Sequence, residues 1–524
     1  MLGENVISDL ELKNLNTVLP IKTSWGKTHF YEGLQNCSSN IAELKRRQLP
    51  LLGLRNVPDV RNTISHTLES LETSLVDDLE PTDNRIIDSV HQILWNKTSF
   101  GNFLNTSPLV LKGIITWKTI VLPGFALLMP LLALIVPYIY YKFSNKAVDT
   151  SEYLLRVRGA LLQQISVPSV LTKWRGTQHD KLGYLLESLF IGLTLAMFIS
   201  SLWNQVASAF HQRNIWNDIV YRGNGIKSLV ITAKRIHDSL QSLPLRNRKA
   251  LRSVIEEGAA ALDQCNCLLD LEGASAFGYV WNNNDCLIKL KAWIAHIDVL
   301  VSISGMSNIC FPSYTETKVS IHGLRIHHPF VKHCISNNFI CDSHALITGP
   351  NRGGKSTFCK ALGLAVVTSQ SWGFAFAHTL TLRPFSHIMT ALEPSGKLGE
   401  YSTFESEIQF AKSVLAAAKD VPIFVMMDEI FHSTNANDGV AASKVFMDQL
   451  YASKNVLSVI STHYRELTDS YKDRVQLVQM LSEILPSGRL LYKYKLAPGV
   501  SLNSSVMEIL IERGLVSGAV AAAD

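Results

Sequence analysis

GPNRGGKST (residues 349–357) is the most informative motif in the C-terminal part of the chain. It follows an apolar run at residues 345–347 and fits the pattern G-x-x-x-x-G-K-[ST]. When a strand precedes such a loop and a helix follows it, backbone N–H groups surround phosphate oxygens and the lysine neutralises the outer phosphates. The stretch therefore predicts a nucleotide-binding loop, with Lys355 as a catalytic residue. The predicted nucleotide-binding residues of the loop are Gly349, Pro350, Asn351, Gly353, Gly354, Lys355, Ser356 and Thr357.

Short apolar runs alternate with helical stretches from about Gly323 onward. The runs lie at residues 345–347, 423–427 and 456–460. Runs of this length, separated by helices, are typical of an α/β domain with a parallel sheet. We therefore predict an α/β P-loop NTPase domain over residues 316–524.

Polar residues follow two of these apolar runs. IFVMMDE ends in Asp428 and Glu429, and STHY offers His463. Because the carboxyl ends of parallel strands meet where such sheets bind ligands, we expect these side chains to gather beside the loop. We predict that Asp428 and the Ser356 hydroxyl hold Mg²⁺ and that Glu429 orients or deprotonates the attacking water. His463 is predicted to sense the γ-phosphate. The alternative is an unrelated buried Asp-Glu pair with a core histidine.

Composition sets wide limits on function. Lys and Arg outnumber Asp and Glu by 49 to 44 in 524 residues, a mild excess that permits nucleic acid or anionic lipid as a partner without requiring either. The eight cysteines are scattered, with neither a CxxC motif nor paired Cys/His spacing, which favours reduced thiols over disulfides or a zinc site. Acidic residues interrupt the first twelve positions, so we expect no cleaved signal peptide.

One uncharged apolar run departs from the pattern of a soluble protein. TIVLPGFALLMPLLALIVPYIYY (residues 119–141) is flanked by lysines and has aromatic residues at or beside its ends. A helix that crosses a bilayer needs about 20 apolar residues, and aromatic rings favour the headgroup region. We predict a membrane span here, with the lipid bilayer as a partner. A buried helix of a soluble domain is the alternative.

A second uncharged run, at residues 188–210, is weaker because Asn204 and Gln205 lie near its end. It is either a second span or a core helix. Two spans would place both soluble ends in the cytosol and the loop between the spans on the other side of the membrane. That loop carries seven Lys and Arg residues, which the positive-inside tendency would keep in the cytosol. A single span or a re-entrant hairpin removes this conflict. We expect a single-pass or multi-pass membrane protein with its nucleotide-binding domain on the cytosolic side.

Two periodic apolar patterns predict long helices on either side of the membrane segment at residues 116–210. The first lies on one face of an amphipathic helix, and the second is close to a heptad seam. The first comprises Val60, Ile64, Leu68, Leu71, Leu75 and Leu79, and the second comprises Leu229, Ala233, Ile236, Leu240 and Leu243. We therefore predict an N-terminal helical region at residues 1–115 and a helical lever at residues 211–315.

The C-terminal motifs resemble those of the MutS mismatch-repair family. The family loop, GPNMGGKST, differs from this chain only at Arg352. YSTFESEI (residues 401–408) is similar to the S-T-F-x-x-E segment of the family. The D-E-I block and the D-G pair that follows it are matched by Asp428, Glu429, Ile430, Asp438 and Gly439. The resemblance covers roughly residues 297–514 and is vaguer over the helical lever.

This resemblance implies an ATPase of the ABC/MutS type that uses ATP and Mg²⁺, works as a homodimer and binds DNA through a helical lever and clamp. It also implies that Ser402 reaches the γ-phosphate held by the partner subunit. By the same analogy Phe339 would stack on adenine, with a place in the core as the alternative. No LSGGQ-type signature is present, which argues against a transporter.

Several features depart from the family pattern. Mismatch readers use a Phe-x-Glu motif, but Phe30 lies in TSWGKTHFYEGL (residues 23–34), which looks like the opening of the helical core. Arg352 replaces a methionine, either as a solvated side chain or as an added contact to the γ-phosphate or the partner subunit. We expect the C-terminal extension that reinforces dimers to be short or missing.

Two basic clusters stand out, LKRRQLP (residues 44–50) and LRNRKALR (residues 245–252). No aromatic residue interleaves with them, which favours solvated helix faces over contact with nucleic-acid phosphates. The sequence as a whole favours a membrane-anchored, ATP-switched dimeric clamp that binds DNA. The alternative is a membrane-associated ATPase of the ABC class without a DNA role.

Overall fold

A computed structural model describes residues 2–72, 84–95, 98–143, 151, 153, 180–317, 319–392, 403–419, 421–485 and 489–513. The chain forms two compact units. The first comprises Met1–Thr73, Thr232–Leu262 and Lys289–Asp524, and the second comprises Ser74–Ile231 and Asp263–Ile288. The predicted division, with boundaries near residues 115, 210 and 315, differs from these units because the N-terminal residues join the nucleotide-binding domain.

The first unit contains two sheets. Its strands are β1 (Ser313–Tyr314), β2 (Ile321–Ile326), β3 (Asn337–Cys341), β4 (His344–Thr348), β5 (Thr379–Leu382), β6 (His387–Ala391), β7 (Ile423–Met427), β8 (Val456–Ser461), β9 (Gln476–Ile484) and β10 (Leu490–Pro498). Six form one sheet in the order β10-β9-β4-β8-β7-β6, in which only β10 pairs antiparallel. Every residue of β4, β7 and β8 is buried, as expected for parallel strands covered on both faces. The three apolar runs thus form neighbouring strands, and the predicted parallel sheet is confirmed.

The smaller sheet has the order β1-β5-β2-β3. β5 pairs parallel with β1 and antiparallel with β2, and β2 pairs antiparallel with β3. β1, β2 and β3 precede the nucleotide-binding loop in the chain, whereas β5 follows the helix after it, α15 (Lys355–Ser371).

Helices make up most of the remaining described structure. In chain order they are α1 (Val6–Asp9), α2 (Ser24–Gln35), α3 (Ile41–Arg55), α4 (Pro58–Glu72), α5 (Asn84–Val90), α6 (Ser99–Thr106), α7 (Pro108–Thr116), α8 (Leu122–Phe143), α9 (Asp180–Gln241), α10 (Leu245–Ala250), α11 (Arg252–Cys265), α12 (Cys267–Asp270), α13 (Gly273–Asn282), α14 (Asp285–Gly305), α15 (Lys355–Ser371), α16 (Thr403–Ala417), α17 (Ala436–Ala452), α18 (Arg465–Tyr471) and α19 (Val506–Glu512). A 3₁₀ helix covers Leu12–Thr17, and a π-helical turn, Trp117–Val121, joins α7 to α8.

The two periodic apolar patterns lie in helices, as predicted. In α4 the side chains of Ile64, Leu68 and Leu71 are buried, whereas the predicted continuation to Leu75 and Leu79 lies outside the described residues. The second set falls in and just after α9. Its members Leu229, Ala233, Ile236, Leu240 and Leu243 are all buried.

Thr23 begins the helical core of the first unit. Its hydroxyl accepts a hydrogen bond from the Gly26 N–H (2.9 Å) and so caps α2. The fully buried carboxylate of Asp298 accepts from both the backbone N–H and the hydroxyl of Thr23, each at 2.7 Å. The ring of Phe30 is fully buried, 5.7 Å from that of Trp372. Residues 23–26 therefore open the core as predicted, and Phe30 is not available to read a mismatch.

The first residues of the chain pack against the large sheet. The Gly3 N–H donates to the Ile388 carbonyl (2.8 Å), and a carboxylate oxygen of Asp9 accepts from the Leu392 N–H (3.0 Å). Both partners lie in or directly after β6. The predicted assignment of the whole range 1–115 to one helical region did not anticipate these contacts, because they join residues far apart in sequence.

The second unit contains the apolar runs. Among the described residues, the segment Pro108–Met129 is long and apolar enough to cross a membrane, and 17% of its most apolar 18-residue stretch is buried. This segment overlaps the first half of the predicted span at residues 119–141. The predicted span at residues 188–210 lies inside α9, and several of its side chains lie outside the described residues. A core helix of a soluble protein can be as long and as apolar as Pro108–Met129.

Candidate nucleotide-binding site

The loop between β4 and α15 has the conformation that phosphate binding requires. β4 ends at Thr348 and α15, a helix of 17 residues, begins at Lys355, so the glycine-rich turn lies at a helix N-terminus, which favours anions. Gly354 has φ +95°, a left-handed conformation that favours glycine. A Cβ at this position would lie 3.1 Å from the ring of Tyr494. The pattern predicted from sequence is thus placed on a strand, a turn and a helix.

Lys355 lies at the centre of this loop and is only 5% exposed. Its ammonium group donates to the carbonyls of Gly349 (3.0 Å) and Pro350 (3.3 Å), and lies 3.2 Å from Nε2 of His463. Burial lowers the pKa of Lys355, and the nearby carboxylates of Asp428 and Glu429 oppose that shift. The lysine is therefore positioned to exchange neutral carbonyl acceptors for an anionic ligand.

Asp428 follows β7 and joins two hydroxyl groups. Ser356 Oγ, in the first turn of α15, donates to one carboxylate oxygen, and Ser461 Oγ, at the end of β8, donates to the other. Mg²⁺ bound beside a phosphate loop takes some of its oxygen ligands from a protein hydroxyl and a carboxylate, and the others from water and the phosphates. Among the described residues, no group of three or more His, Cys, Asp or Glu side chains could hold a metal by itself. The donor set therefore fits an ion shared with a nucleotide.

Glu429 has a strained backbone and a fixed side chain. Its φ of +53° is uncommon for a residue with a Cβ, and its N–H donates to Ser461 Oγ (3.0 Å). One carboxylate oxygen lies 3.0 Å from Nε2 of His463. The hydrogen bond from His463 lowers the pKa of Glu429, although burial opposes this effect. The half-buried carboxylate thus stays ionised near neutral pH and can accept a proton from water.

A cavity of about 600 Å³ opens beside the loop and Glu429. Asn351, Arg352 and Thr357 are exposed on the loop side of it. Apolar side chains and Tyr494 form part of its wall. The lining residues from outside the loop and α15 are Ile326, Val331, His333, Cys334, Ile335, Asn337, Glu429 and Tyr494. No motif in the sequence signals this wall, because its members come from separate strands and loops.

Phe339 does not line this cavity. Its ring is 2% exposed and lies 5.4 Å from the ring of Phe358 in an edge-on contact. Base stacking needs an open ring face, so the prediction that Phe339 stacks on adenine is not supported by its placement. The core role that the sequence left open is the one observed.

Arg352 has a partner within its own chain. Its guanidinium donates to the Glu512 carboxylate at 2.6 Å, and both side chains are about half exposed. Glu512 is the last residue of α19. The interpretations offered by the sequence were a solvated side chain or an added contact to the γ-phosphate or the partner subunit, and they did not anticipate this ion pair.

Ser402, predicted to act across subunits, lies outside the described residues, but α16 begins one residue later. Two contacts hold this helix near Glu429. The ring of Phe404 lies 6.0 Å from that of Phe431, and Nδ1 of His432 lies 3.3 Å from a carboxylate oxygen of Glu407. The same His432 nitrogen lies 2.7 Å from the backbone carbonyl of Glu429. Glu407 is the glutamate of the S-T-F-x-x-E segment, to which the sequence interpretation gave no role of its own. His432 was missed because it belongs to none of the motifs.

Comparison with known proteins identifies the relatives of this region. Residues 345–524 match the family model described as MutS domain V. Among curated proteins, the DNA mismatch repair protein MutS of Shouchella clausii is 33% identical over 196 residues, which cover 35% of this chain and 22% of that protein. The DNA mismatch repair protein MutS of Lactobacillus johnsonii is 30% identical over 243 residues, covering 44% and 28%. The MutS protein of a Thermotoga species is 27% identical over 242 residues, covering 44% and 30%.

These comparisons support the MutS resemblance for the C-terminal region, which has the α/β P-loop NTPase-type fold predicted from its motifs. The aligned part of the chain spans less than a third of the length of each of these relatives. The similarity thus includes the MutS-type domain V, and the alignments cover at most 44% of this chain.

Proposed function

We propose that this chain binds and hydrolyses ATP in a Mg²⁺-dependent reaction. The observation that carries the proposal is the convergence of Lys355, the Ser356–Asp428 pair and the Glu429–His463 pair at one edge of a parallel sheet. Similarity to MutS domain V supports ATP as the nucleotide.

Each of these residues has a distinct part in hydrolysis. The loop N–H groups and Lys355 hold the phosphates, with Lys355 leaving the carbonyls of Gly349 and Pro350 to do so. Ser356 and Asp428 would hold Mg²⁺, which neutralises charge on the β- and γ-phosphate oxygens when bound. Glu429 accepts the proton of the water whose oxygen attacks the γ-phosphorus. The bond from that phosphorus to the bridging oxygen breaks, and ADP leaves with its electron pair.

Two substitutions separate binding from chemistry. Lys355→Ala should abolish both ATP binding and turnover, because the loop loses its only buried cation among the described residues. Glu429→Gln should retain ATP but lower kcat roughly 10²–10⁴-fold, the usual contribution of a general base. Glu466→Gln, an exposed carboxylate in the first turn of α18, is the matched control. Normal hydrolysis by Glu429→Gln would show that another group takes the proton.

We further infer that two copies of the chain share each nucleotide site. The proposal gives the γ-phosphate a contact from Ser402 of the partner subunit, and it is supported by the similarity of residues 401–408 to the S-T-F-x-x-E segment of the MutS family. A ligand closes such a dimer only if it binds the closed state more tightly, and a contact made only across subunits supplies that difference. Mixing Ser402→Ala chains with Lys355→Ala chains should restore at most one active site per dimer. Independent activity of each chain would contradict sharing.

DNA is the partner that the relatives suggest, since each is named a DNA mismatch repair protein. We propose that the helical elements form an ATP-switched clamp on DNA, without mismatch reading by the buried Phe30. The competing function, an ABC-class membrane ATPase with no DNA role, predicts ATP hydrolysis that duplex DNA does not alter. Measuring ATPase rates of the full chain with and without duplex DNA separates the two.

Membrane anchoring is also a proposal, with the nucleotide-binding domain on the cytosolic side. Large apolar side chains in both runs are exposed, which water does not favour. They include Phe125, Leu128, Met129, Ile135 and Val136 in the first run and Leu193, Met197, Ile199 and Trp203 in the second. An anchored chain should stay with membranes after alkaline carbonate extraction, whereas release into the supernatant would contradict anchoring and leave ATP hydrolysis unaffected.

A further inference from the structure

Two basic clusters that are distant in sequence meet on the surface of the first unit. α3 and α10 pack together where the Asn247 side chain donates to the Gly53 carbonyl (2.7 Å), across 194 residues of sequence. A Cβ at Gly53 would lie only 3.2 Å from Cβ of Ala250, so the glycine permits the close approach. The exposed basic side chains of the two helices, here termed the basic surface, are Lys45, Arg46, Arg246, Arg248 and Lys249.

The two halves of the basic surface are close enough to contact one ligand. Arg46, Leu49 and Gly53 lie on one face of α3, because residues three, four and seven apart share a face of a helix. α10 covers the last of these positions. Seven residues of helix span about 10 Å, so Arg46 lies two turns from the point where α10 packs.

Among the described residues the side chains of the basic surface make no close ion pairs, although the charge of Arg46 acts on the nearby Glu43 carboxylate. Its neighbours differ, because Arg47 pairs with Glu43 (2.5 Å) and Arg252 pairs with Glu256 (2.7 Å). Five like charges on two packed helices repel one another and concentrate counter-anions. Such a surface fits a polyanion better than a single carboxylate.

We propose that the basic surface binds the phosphodiester backbone of duplex DNA, an inference that rests on the proposed DNA-binding function. Arg and Lys supply most backbone contacts, which position a protein on DNA without reading its sequence. Neither α3 nor α10 contains an aromatic residue, so the stacking that single strands require is missing.

An anionic bilayer fits the same surface less well. Interfacial helices combine basic residues with a wide apolar face that carries Trp, Phe and Leu. Here the large apolar side chains exposed on the two helices are Leu49, Leu52 and Leu245, two of which are more than half covered. A duplex backbone needs only the charges, whereas a bilayer needs the leucines too. Substituting the charges and the leucines separately therefore distinguishes DNA from a bilayer.

The experiment is a salt titration of duplex DNA binding by the full chain in detergent, with a fluorescent duplex as the probe. The test variant combines Arg46→Gln, Arg248→Gln and Lys249→Gln. The control removes three other exposed charges in Lys419→Gln, Lys454→Gln and Lys472→Gln. Each lost phosphate contact lowers the slope of log affinity against log salt by about 0.9, so the test variant should lose roughly 2.7. The control should keep the wild-type slope, and both variants should keep the wild-type ATPase rate without DNA.

Leu49→Ser combined with Leu245→Ser distinguishes the bilayer. This variant should bind DNA like the wild type. The inference is overturned if the test variant keeps the wild-type slope, in which case DNA contacts another surface and the proposed function stands. It is also overturned by a second result. In that result the wild type binds phosphatidylglycerol vesicles and the leucine variant does not, while the affinity for DNA is the same in the wild type, the test variant and the leucine variant. Absence of any DNA binding, with normal ATP hydrolysis, would reject this inference and the DNA role together but not the ATPase.

Discussion

Asp298 offers a sharp test of how the helical core is held together. Its carboxylate is fully buried and accepts hydrogen bonds from the Lys22 N–H (3.1 Å), the Thr23 N–H (2.7 Å) and the Thr23 hydroxyl (2.7 Å). Asp298→Ala removes the acceptor for the two buried donors of Thr23. A buried donor left unsatisfied costs about 1–3 kcal/mol, so we expect a loss of roughly 4 kcal/mol in the free energy of unfolding.

The assay is urea unfolding of the full chain, followed by circular dichroism. With a slope of about 2–3 kcal/mol per molar urea, this loss lowers the midpoint by roughly 1.5 M. Asp298→Asn keeps the shape and one acceptor, so it should fall about half as far. Asp469→Ala, an exposed carboxylate in α18, is the control. A midpoint shift below about 0.3 M for Asp298→Ala would refute the claim that this carboxylate organises the start of α2.

Three further predictions concern the nucleotide site. The hydrogen bond from His463 lowers the pKa of Glu429, and ATPase activity should fall as the pH drops through that pKa, because the base becomes protonated. His463→Ala should therefore move this acid limb of the kcat–pH profile to higher pH. A limb that does not move would contradict the assigned hydrogen bond. Arg352→Met and Glu512→Gln break the same exposed ion pair, so calorimetry should show equal changes in ATP affinity of less than about fivefold, whereas a much larger loss for Arg352→Met alone would indicate a direct phosphate contact. Gly354→Ala forces a left-handed conformation on alanine beside Tyr494 and should weaken ATP binding about tenfold, while Gly305→Ala, whose Cβ meets nothing within 3.4 Å, should leave affinity unchanged.

The sheet and the phosphate loop were predictable because their signals are local. A continuous apolar run can form only a strand buried on both faces or a buried helix, and the three runs here end at the polar residues that a parallel sheet places at one edge. That is why Asp428, Glu429 and His463 were placed correctly beside Lys355. Their contacts in the structure follow from strand order, which the motif spacing implied.

The remaining features depend on pairs far apart in the chain. Ser461 was quoted only as part of STHY, yet its hydroxyl joins Asp428 to the backbone of Glu429. The packing of α3 against α10 rests on one glycine and one asparagine, which carry no pattern of their own. Phe339 is the converse case, because analogy predicts that its ring stacks on adenine, whereas the side chain is 2% exposed. Periodicity reports which face is buried but not what covers it.

The central claim is that Lys355 and Glu429 serve an ATPase site shared between two chains. The most direct measurement is the steady-state rate of ATP hydrolysis per mole of full chain over a wide dilution series, with Glu429→Gln as the background. We expect a rate well above that background, and we expect it to fall on dilution as dimers dissociate. A rate equal to the Glu429→Gln background at every concentration would contradict the catalytic site, and a rate independent of dilution down to monomeric chains would contradict its sharing.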